Sequence, residues 1–152
     1  MSLASDVIAA LQGKTLSTAE SCTGGMIGSM LCAVSGASKV YKGGVISYCD
    51  EIKNRLLNVN KQDLQEYGAV SEAVAVAMAH GARKALQTDV AVSVTGLAGP
   101  DGDAYSNPVG LVFIGYADEK QSFAREYHFF GDRAQIRRAA AEQALKLILQ
   151  MQ

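Results

Sequence analysis

The 152-residue sequence contains no tryptophan, two prolines, two histidines and three cysteines. The cysteines (Cys22, Cys32, Cys49) are odd in number and form no C-x-x-C pair, so neither a disulfide framework nor a structural zinc site is expected. His80 and His128 stand far apart, which argues against a His-rich metal site. No apolar run approaches the ~18 residues needed to span a bilayer, so no membrane partner is expected. Met1–Ser17 lacks the basic run, apolar stretch and small-residue cleavage site of a signal peptide, which sets a cytoplasmic expectation. Charge of one sign is also missing: 14 Lys+Arg face 15 Asp+Glu, for a formal net charge of -1. Phosphate contacts usually leave a nucleic-acid binder strongly basic, so no direct nucleic-acid partner is expected. A small anionic ligand needs only one or two placed arginines and stays open.

What is present is core material. Hydrophobic residues make up 49% and charged residues 19% of the chain. A single domain over residues 1–152 is expected to bury roughly 70% of its unfolded surface without a metal or disulfide. Ser2 caps a first helix carrying Leu3, Val7, Ile8 and Leu11, stopped by Gly13. Thr15–Glu20 reads as a strand, Gly24–Val34 as a helix entered through two glycines, and Val45–Tyr48 as a second strand. Asp50–Leu57 reads as a short helix with Ile52 and Leu56 on one side, and Gln62–Tyr67 as one more turn. Ser71 opens an alanine-rich helix to Leu86, and Val90–Thr95 is a valine-dense strand covered on both faces. Val109–Ala117 and Ser122–Phe130 form an antiparallel hairpin, and Asp132 caps a final helix through Leu149. Helices between the early strands predict parallel pairing. The fold class is therefore α/β, a three-layer α/β/α domain with a mixed, mostly parallel sheet of about five strands.

Ligands of open α/β sheets sit beyond the carboxyl ends of the strands. Thr18–Gly25 (TAESCTGG) turns from such a strand end into a helix. Its glycines, Gly24 and Gly25, permit a sharp turn with free N–H groups. A serine there, Ser21, has the placement of an acyl-transfer nucleophile beside an oxyanion hole. The competing reading is that Ser21 or Thr23 only caps the helix. Cys22 is a second candidate nucleophile, but small buried cysteines are mostly inert packing. The turn matches none of G-x-S-x-G, the P-loop, the Rossmann G-x-G-x-x-G or S-x-x-K.

Neither histidine is placed to serve Ser21, so lysine is the remaining base. Lysine accepts a proton at neutral pH only if its pKa falls from ~10.4 toward ~7–8, which burial can cause. Lys53, beside Ile52 and one turn before Leu57, is the candidate, against the alternative of a solvated or snorkelling side chain. Tyr48 stands at the preceding strand end, either to support the site or as an edge aromatic. Thr95 and Gly96 follow the valine-rich strand and can line the same crevice. Arg133 and Arg137 lie at the start of the last helix, where a guanidinium fork suits phosphate, or else is simply solvated.

Six blocks carry a resemblance: TAESCTGG (18–25), GGVISY (43–48) with Lys53 following, GAVSE (68–72), VTGLAGP (94–100), PVGLVFI (108–114) and GDR with IR (131–137). In this order they resemble the C-terminal domain of the CinA competence/damage-inducible family, whose active members are nicotinamide-nucleotide amidases. The resemblance implies hydrolysis of the carboxamide of nicotinamide mononucleotide to nicotinate mononucleotide and ammonia, in pyridine nucleotide salvage, without metal or organic cofactor. It implies Ser21 as nucleophile, Lys53 as its basic partner and Tyr48 in support. Glu20, Thr23, Gly24, Gly25, Thr95, Gly96, Arg133 and Arg137 match positions expected to hold the nucleotide. It further implies a homo-oligomer. One segment departs: in Gly99–Pro108 (GPDGDAYSNP) the family more often has extra glycines and a lysine before PVG. Here Asn107 takes the lysine's place, and Asp101 and Asp103 add negative charge that weakens phosphate attraction. That departure carries the alternative of a catalytically weak nucleotide-binding paralogue with a regulatory or competence/damage role.

Overall fold

The structure, a computed structural model, describes residues 2–152; Met1, the first residue of the expected domain, lies outside them. The chain runs α1 (Leu3–Ala10), β1 (Leu16–Glu20), α2 (Met26–Cys32), β2 (Tyr41–Ile46), α3 (Asp50–Leu57) and α4 (Lys61–Tyr67). It continues through α5 (Glu72–Leu86), β3 (Val90–Gly96), β4 (Leu111–Ala117), β5 (Ser122–His128) and α6 (Arg133–Gln150). The predicted caps form: Ser2 and Asp132 each close a capping box, and the Ser71 hydroxyl accepts the Val74 amide at 3.3 Å. These side chains satisfy amides that have no partner inside the helix.

The strands form one sheet in the order β2-β1-β3-β4-β5. β1 pairs in parallel with β2 and β3, while β4 runs antiparallel to both β3 and β5. Four strands thus point one way and only β4 opposes them. Helices α1, α2 and α6 cover one face, α6 packing on β3 and β4, α2 on β1 and β2, and α1 against α6 and α2, with Val7, Leu31, Ile136 and Leu145 in their shared core. Helix α5 lies across the other face with α3 and α4 packed on it, around Leu57, Leu64, Val74 and Met78. β1 and β3, sandwiched by both layers, are buried along their length up to Gly96.

Three local differences from the sequence reading have physical causes. Strand β2 starts at Tyr41 rather than Val45, because Gly43 and Gly44 are strand residues here. A Cβ on Gly44 would overlap the Thr18 hydroxyl of the neighbouring strand, so the glycine is needed for close pairing. Helix α2 starts at Met26, because Gly24 and Gly25 take left-handed φ values of 57° and 103° and belong to the turn. On α3 the buried pair is Lys53 and Leu57, not Ile52 and Leu56; Leu56 is 55% exposed and Lys53 only 1%.

Close approach of α3 to α5 explains that burial. A Cβ on Gly81 of α5 would overlap the Leu57 carbonyl, so a glycine within the helix lets the C-terminus of α3 rest on it. A helical glycine costs about 1 kcal/mol relative to alanine, and here it sets the depth of the helix that carries Lys53.

Candidate active site

Three parallel strands end side by side. Ser21 follows β1, Ser47 and Tyr48 follow β2, and Thr95 and Gly96 close β3. A cleft of about 350 Å³ opens there, within the range of small-ligand pockets. Ser21, Cys22, Tyr48, Lys53, Thr95, Gly96 and Arg133 line it, together with Asp50, Asp101 and Asp103.

Ser21 is 8% exposed, and its amide donates to the Val94 carbonyl at 3.0 Å, pinning the turn to β3. The Lys53 Nζ lies 2.9 Å from the Ser21 Oγ and donates to the Ser47 carbonyl at 2.7 Å. Burial holds the Lys53 amine below its ordinary value of 10.5, with Asp50 pulling the other way. A neutral amine has two hydrogens and one lone pair. With a hydrogen committed to Ser47, the lone pair is available to the Ser21 hydroxyl, which is the arrangement of a base with its nucleophile.

Cys22 does not compete. Burial pushes its thiol up to about 11, although Arg137 pulls it down, so at neutral pH it is a protonated, packed side chain. The histidines are elsewhere: His80 is exposed on α5, and His128 is exposed with its Nε2 2.7 Å from a Glu126 oxygen.

The turn after Ser21 is held from two sides. Glu20, 2% exposed, accepts the amides of Gly25 (3.2 Å), Ile27 (2.9 Å) and Gly28 (3.0 Å). Arg137 donates from Nε to the Cys22 carbonyl at 2.9 Å and from Nη2 to the Thr23 carbonyl at 3.0 Å. The Gly24 amide closes the turn onto the Ser21 carbonyl at 3.0 Å. Among the described residues, the Cys22 and Thr23 amides are left without an acceptor.

Of the residues singled out from sequence, Ser21, Tyr48, Lys53, Thr95, Gly96 and Arg133 converge on the cleft. Glu20, Thr23, Gly24, Gly25 and Arg137 do not line it. Both Glu20 oxygens are occupied by main-chain amides, and Arg137 is turned to the back of the nucleophile turn. Arg133 is the arginine at the mouth, donating to the Gly99 carbonyl (2.6 Å) and the Tyr48 hydroxyl (2.8 Å). Thr95 donates to the Ala69 carbonyl at 2.8 Å, tying the loop before α5 to β3.

Two contributions have weak sequence signals. The Ser47 carbonyl that fixes Lys53 has none, since any residue supplies a carbonyl. The task of Glu20 is hinted at only by a carboxylate ending an otherwise uncharged strand. The loop 99–108 is pinned by Asp103, which accepts the Tyr105 and Asn107 amides at 3.0 and 3.1 Å and the Asn107 side-chain amide at 2.8 Å. Those bonds hold its carboxyl below the usual range despite the opposing effect of desolvation. Tyr105 then reaches the Gln65 carbonyl at 2.6 Å, fastening the loop to α4.

Comparisons with known proteins give the family and the fold. The model of the CinA C-terminal domain family matches residues 1–152. A CinA-like protein of Syntrophomonas wolfei is 48% identical over 136 residues, covering 90% of this chain and 33% of that protein. The chain spans about one third of the length of the curated relatives it matches. A CinA superfamily structure from Escherichia coli superposes with a TM-score of 0.94 at 35% identity, covering 99% of this chain and 91% of that one. The competence/damage inducible protein CihA of Agrobacterium tumefaciens gives a TM-score of 0.94 at 36% identity, covering 98% and 93%. Matched along its whole length in sequence and in fold, the chain belongs to the CinA C-terminal domain family.

Proposed function

We propose that the domain is a Ser–Lys amidohydrolase that converts nicotinamide mononucleotide to nicotinate mononucleotide and ammonia. The observation that carries this reading is the buried contact of 2.9 Å between the Lys53 Nζ and the Ser21 Oγ at the head of the cleft. In the proposed mechanism, the Ser21 Oγ attacks the carboxamide carbon while neutral Lys53 takes its proton. The Cys22 amide, free of any other acceptor, receives the developing oxyanion. Protonated Lys53 then gives its proton to the departing nitrogen, so ammonia leaves and an ester remains on Ser21. Water attacks that ester, Lys53 takes the water's proton, and the alkoxide of Ser21 leaves and is reprotonated. Nicotinate mononucleotide departs.

Arg133 is the proposed phosphate partner, because it alone of the two candidate arginines lines the cleft. Its present partners, a neutral carbonyl and a phenol, bind a guanidinium less strongly than a phosphate does. Tyr48, bonded to Arg133, orients it. The experiment is product analysis with purified protein and nicotinamide mononucleotide, with free nicotinamide as control. Formation of nicotinate mononucleotide and ammonia, with free nicotinamide a poor substrate, supports the reading. Turnover of neither contradicts it.

A second reading rests on Asp50, Asp101 and Asp103, whose carboxylates share the cleft with Arg133 and weaken its attraction for phosphate. It makes the domain a nucleotide-binding paralogue with a regulatory or competence/damage role. Saturable calorimetric binding of the nucleotide without turnover favours this reading over the first.

A further inference from the structure

The two arginines at the start of α6 have different work. Arg133 faces the cleft, whereas Arg137 reaches behind the nucleophile turn and grips two successive carbonyls, those of Cys22 and Thr23. The planar guanidinium presents its donors as a rigid fork, so holding both carbonyls fixes the orientation of that stretch of backbone.

Peptide units are planar and trans, so each N–H points opposite to the C=O of the residue before it. The Cys22 carbonyl held by Arg137 shares its plane with the Thr23 amide, and fixing one fixes the other. In the same way the Ser21 carbonyl, held by the Gly24 amide at 3.0 Å, fixes the direction of the Cys22 amide. The Thr23 carbonyl also accepts the Met26 amide at 3.0 Å, and Glu20 takes those of Gly25, Ile27 and Gly28. Every other amide of the turn therefore has an acceptor. Of the two free amides, that of Cys22 lies on the cleft while Thr23 is wholly buried, and the one outside anchor on the Cys22 and Thr23 carbonyls is Arg137.

We propose that Arg137 is a positioning residue. By tying the Cys22 and Thr23 carbonyls to α6, it fixes the Thr23–Gly24 peptide, whose amide holds the Ser21 carbonyl, and so aims the Cys22 amide at the oxyanion formed when Ser21 attacks. The proposal rests on the amidase reading of the same site. It separates Arg137 from substrate binding: loss of Arg133 weakens capture of the nucleotide, while loss of Arg137 slows the chemical step.

The test compares the full chain with its Arg137→Met and Arg137→Lys variants by thermal unfolding, by ammonia release from nicotinamide mononucleotide and by labelling with a fluorophosphonate. In that last reaction Ser21 forms an O–P bond, fluoride leaves, Lys53 takes the hydroxyl proton, and charge builds on the phosphoryl oxygen at the same amide. Because it needs no nucleotide, the labelling keeps the two proposals apart. With Arg137→Met, kcat is expected to fall about 10–100-fold at near-constant KM, and Ser21 labelling to slow by a similar factor. Arg137→Lys, with one ammonium for two carbonyls, is expected to recover part of both; it also serves should the Met variant fail to fold. Wild-type kcat and labelling rate in the folded variants overturn the role of Arg137, as does a rise in KM alone. Labelling of wild-type Ser21 without ammonia release overturns the substrate reading, and the labelling ratio then still judges Arg137.

Discussion

Lys53→Met separates what the buried lysine does for stability from what it does for catalysis. Methionine fills much of the space of the lysine stem, so the change removes chiefly the amine. Two hydrogen bonds go with it, to the Ser47 carbonyl and the Ser21 hydroxyl, each with a net value of about 1 kcal/mol. Against that stands the cost of holding a charge at a site 1% exposed. The folded pKa lies below the ordinary 10.5, so between the two values the unfolded chain binds more protons than the folded one. Wild-type stability therefore rises with pH through that window, by up to about 1.4 kcal/mol per pH unit, and levels off above the ordinary value. Above the window the wild type should exceed the variant by about 2 kcal/mol. Below it the order narrows or reverses, since the depressed pKa makes the charged amine cost stability against the two bonds. Activity should drop about 100–10,000-fold, the usual loss with a general base. Urea unfolding of both proteins from neutral pH to just above 10.5, with ammonia release alongside at neutral pH, measures each effect. A stability difference independent of pH, or retained activity in Lys53→Met, would refute the reasoning.

Three further changes test the frame of the site. Glu20→Gln replaces one acceptor oxygen by an NH₂ facing main-chain amides; a loss of about 1–3 kcal/mol is expected by thermal unfolding, and unchanged stability would deny Glu20 its hold on the turn. Gly81→Ala gains helix propensity but drives a methyl into the Leu57 carbonyl, so a net loss of about 1–3 kcal/mol, with lower activity as α3 shifts Lys53, is expected. Stabilisation would show that α3 and α5 pack less closely. Arg133→Gln should raise KM for the mononucleotide about 10–100-fold with a smaller change in kcat; a pure kcat effect would remove Arg133 from phosphate binding.

The chain announces its helices through their caps. Ser2, Ser71 and Asp132 each stand before an apolar-periodic run, and each starts a helix there. The valine-dense β3 was equally legible, because a strand buried on both faces needs apolar side chains at every position. β2 was half hidden, since its glycines answer to a neighbouring strand hydroxyl and not to any local pattern. Helix α3 misled through periodicity: Ile52 and Leu56 look like its inner side, yet the glycine at position 81 draws Lys53 and Leu57 inward. Lysine burial of that kind depends on a contact between distant segments.

The site divides in the same way. Ser21, Thr95 and Arg133 come from separate blocks and Tyr48 with Lys53 from a fourth, and the side-by-side ends of β2, β1 and β3 with the start of α6 set them around one cleft. Glu20 and Arg137 lie in those same blocks, but their partners are main-chain groups. Main-chain partners leave no trace in residue identity, so the resemblance, which implied a place at the nucleotide for both side chains, gave no sign of these bonds.

The most direct test of the central claim is ammonia release from nicotinamide mononucleotide by wild type, Ser21→Ala and Lys53→Ala, with folding checked by circular dichroism. The account predicts turnover by the wild type and its loss in both folded variants. Turnover that survives in Ser21→Ala, or a wild type that binds the nucleotide without releasing ammonia, would contradict it.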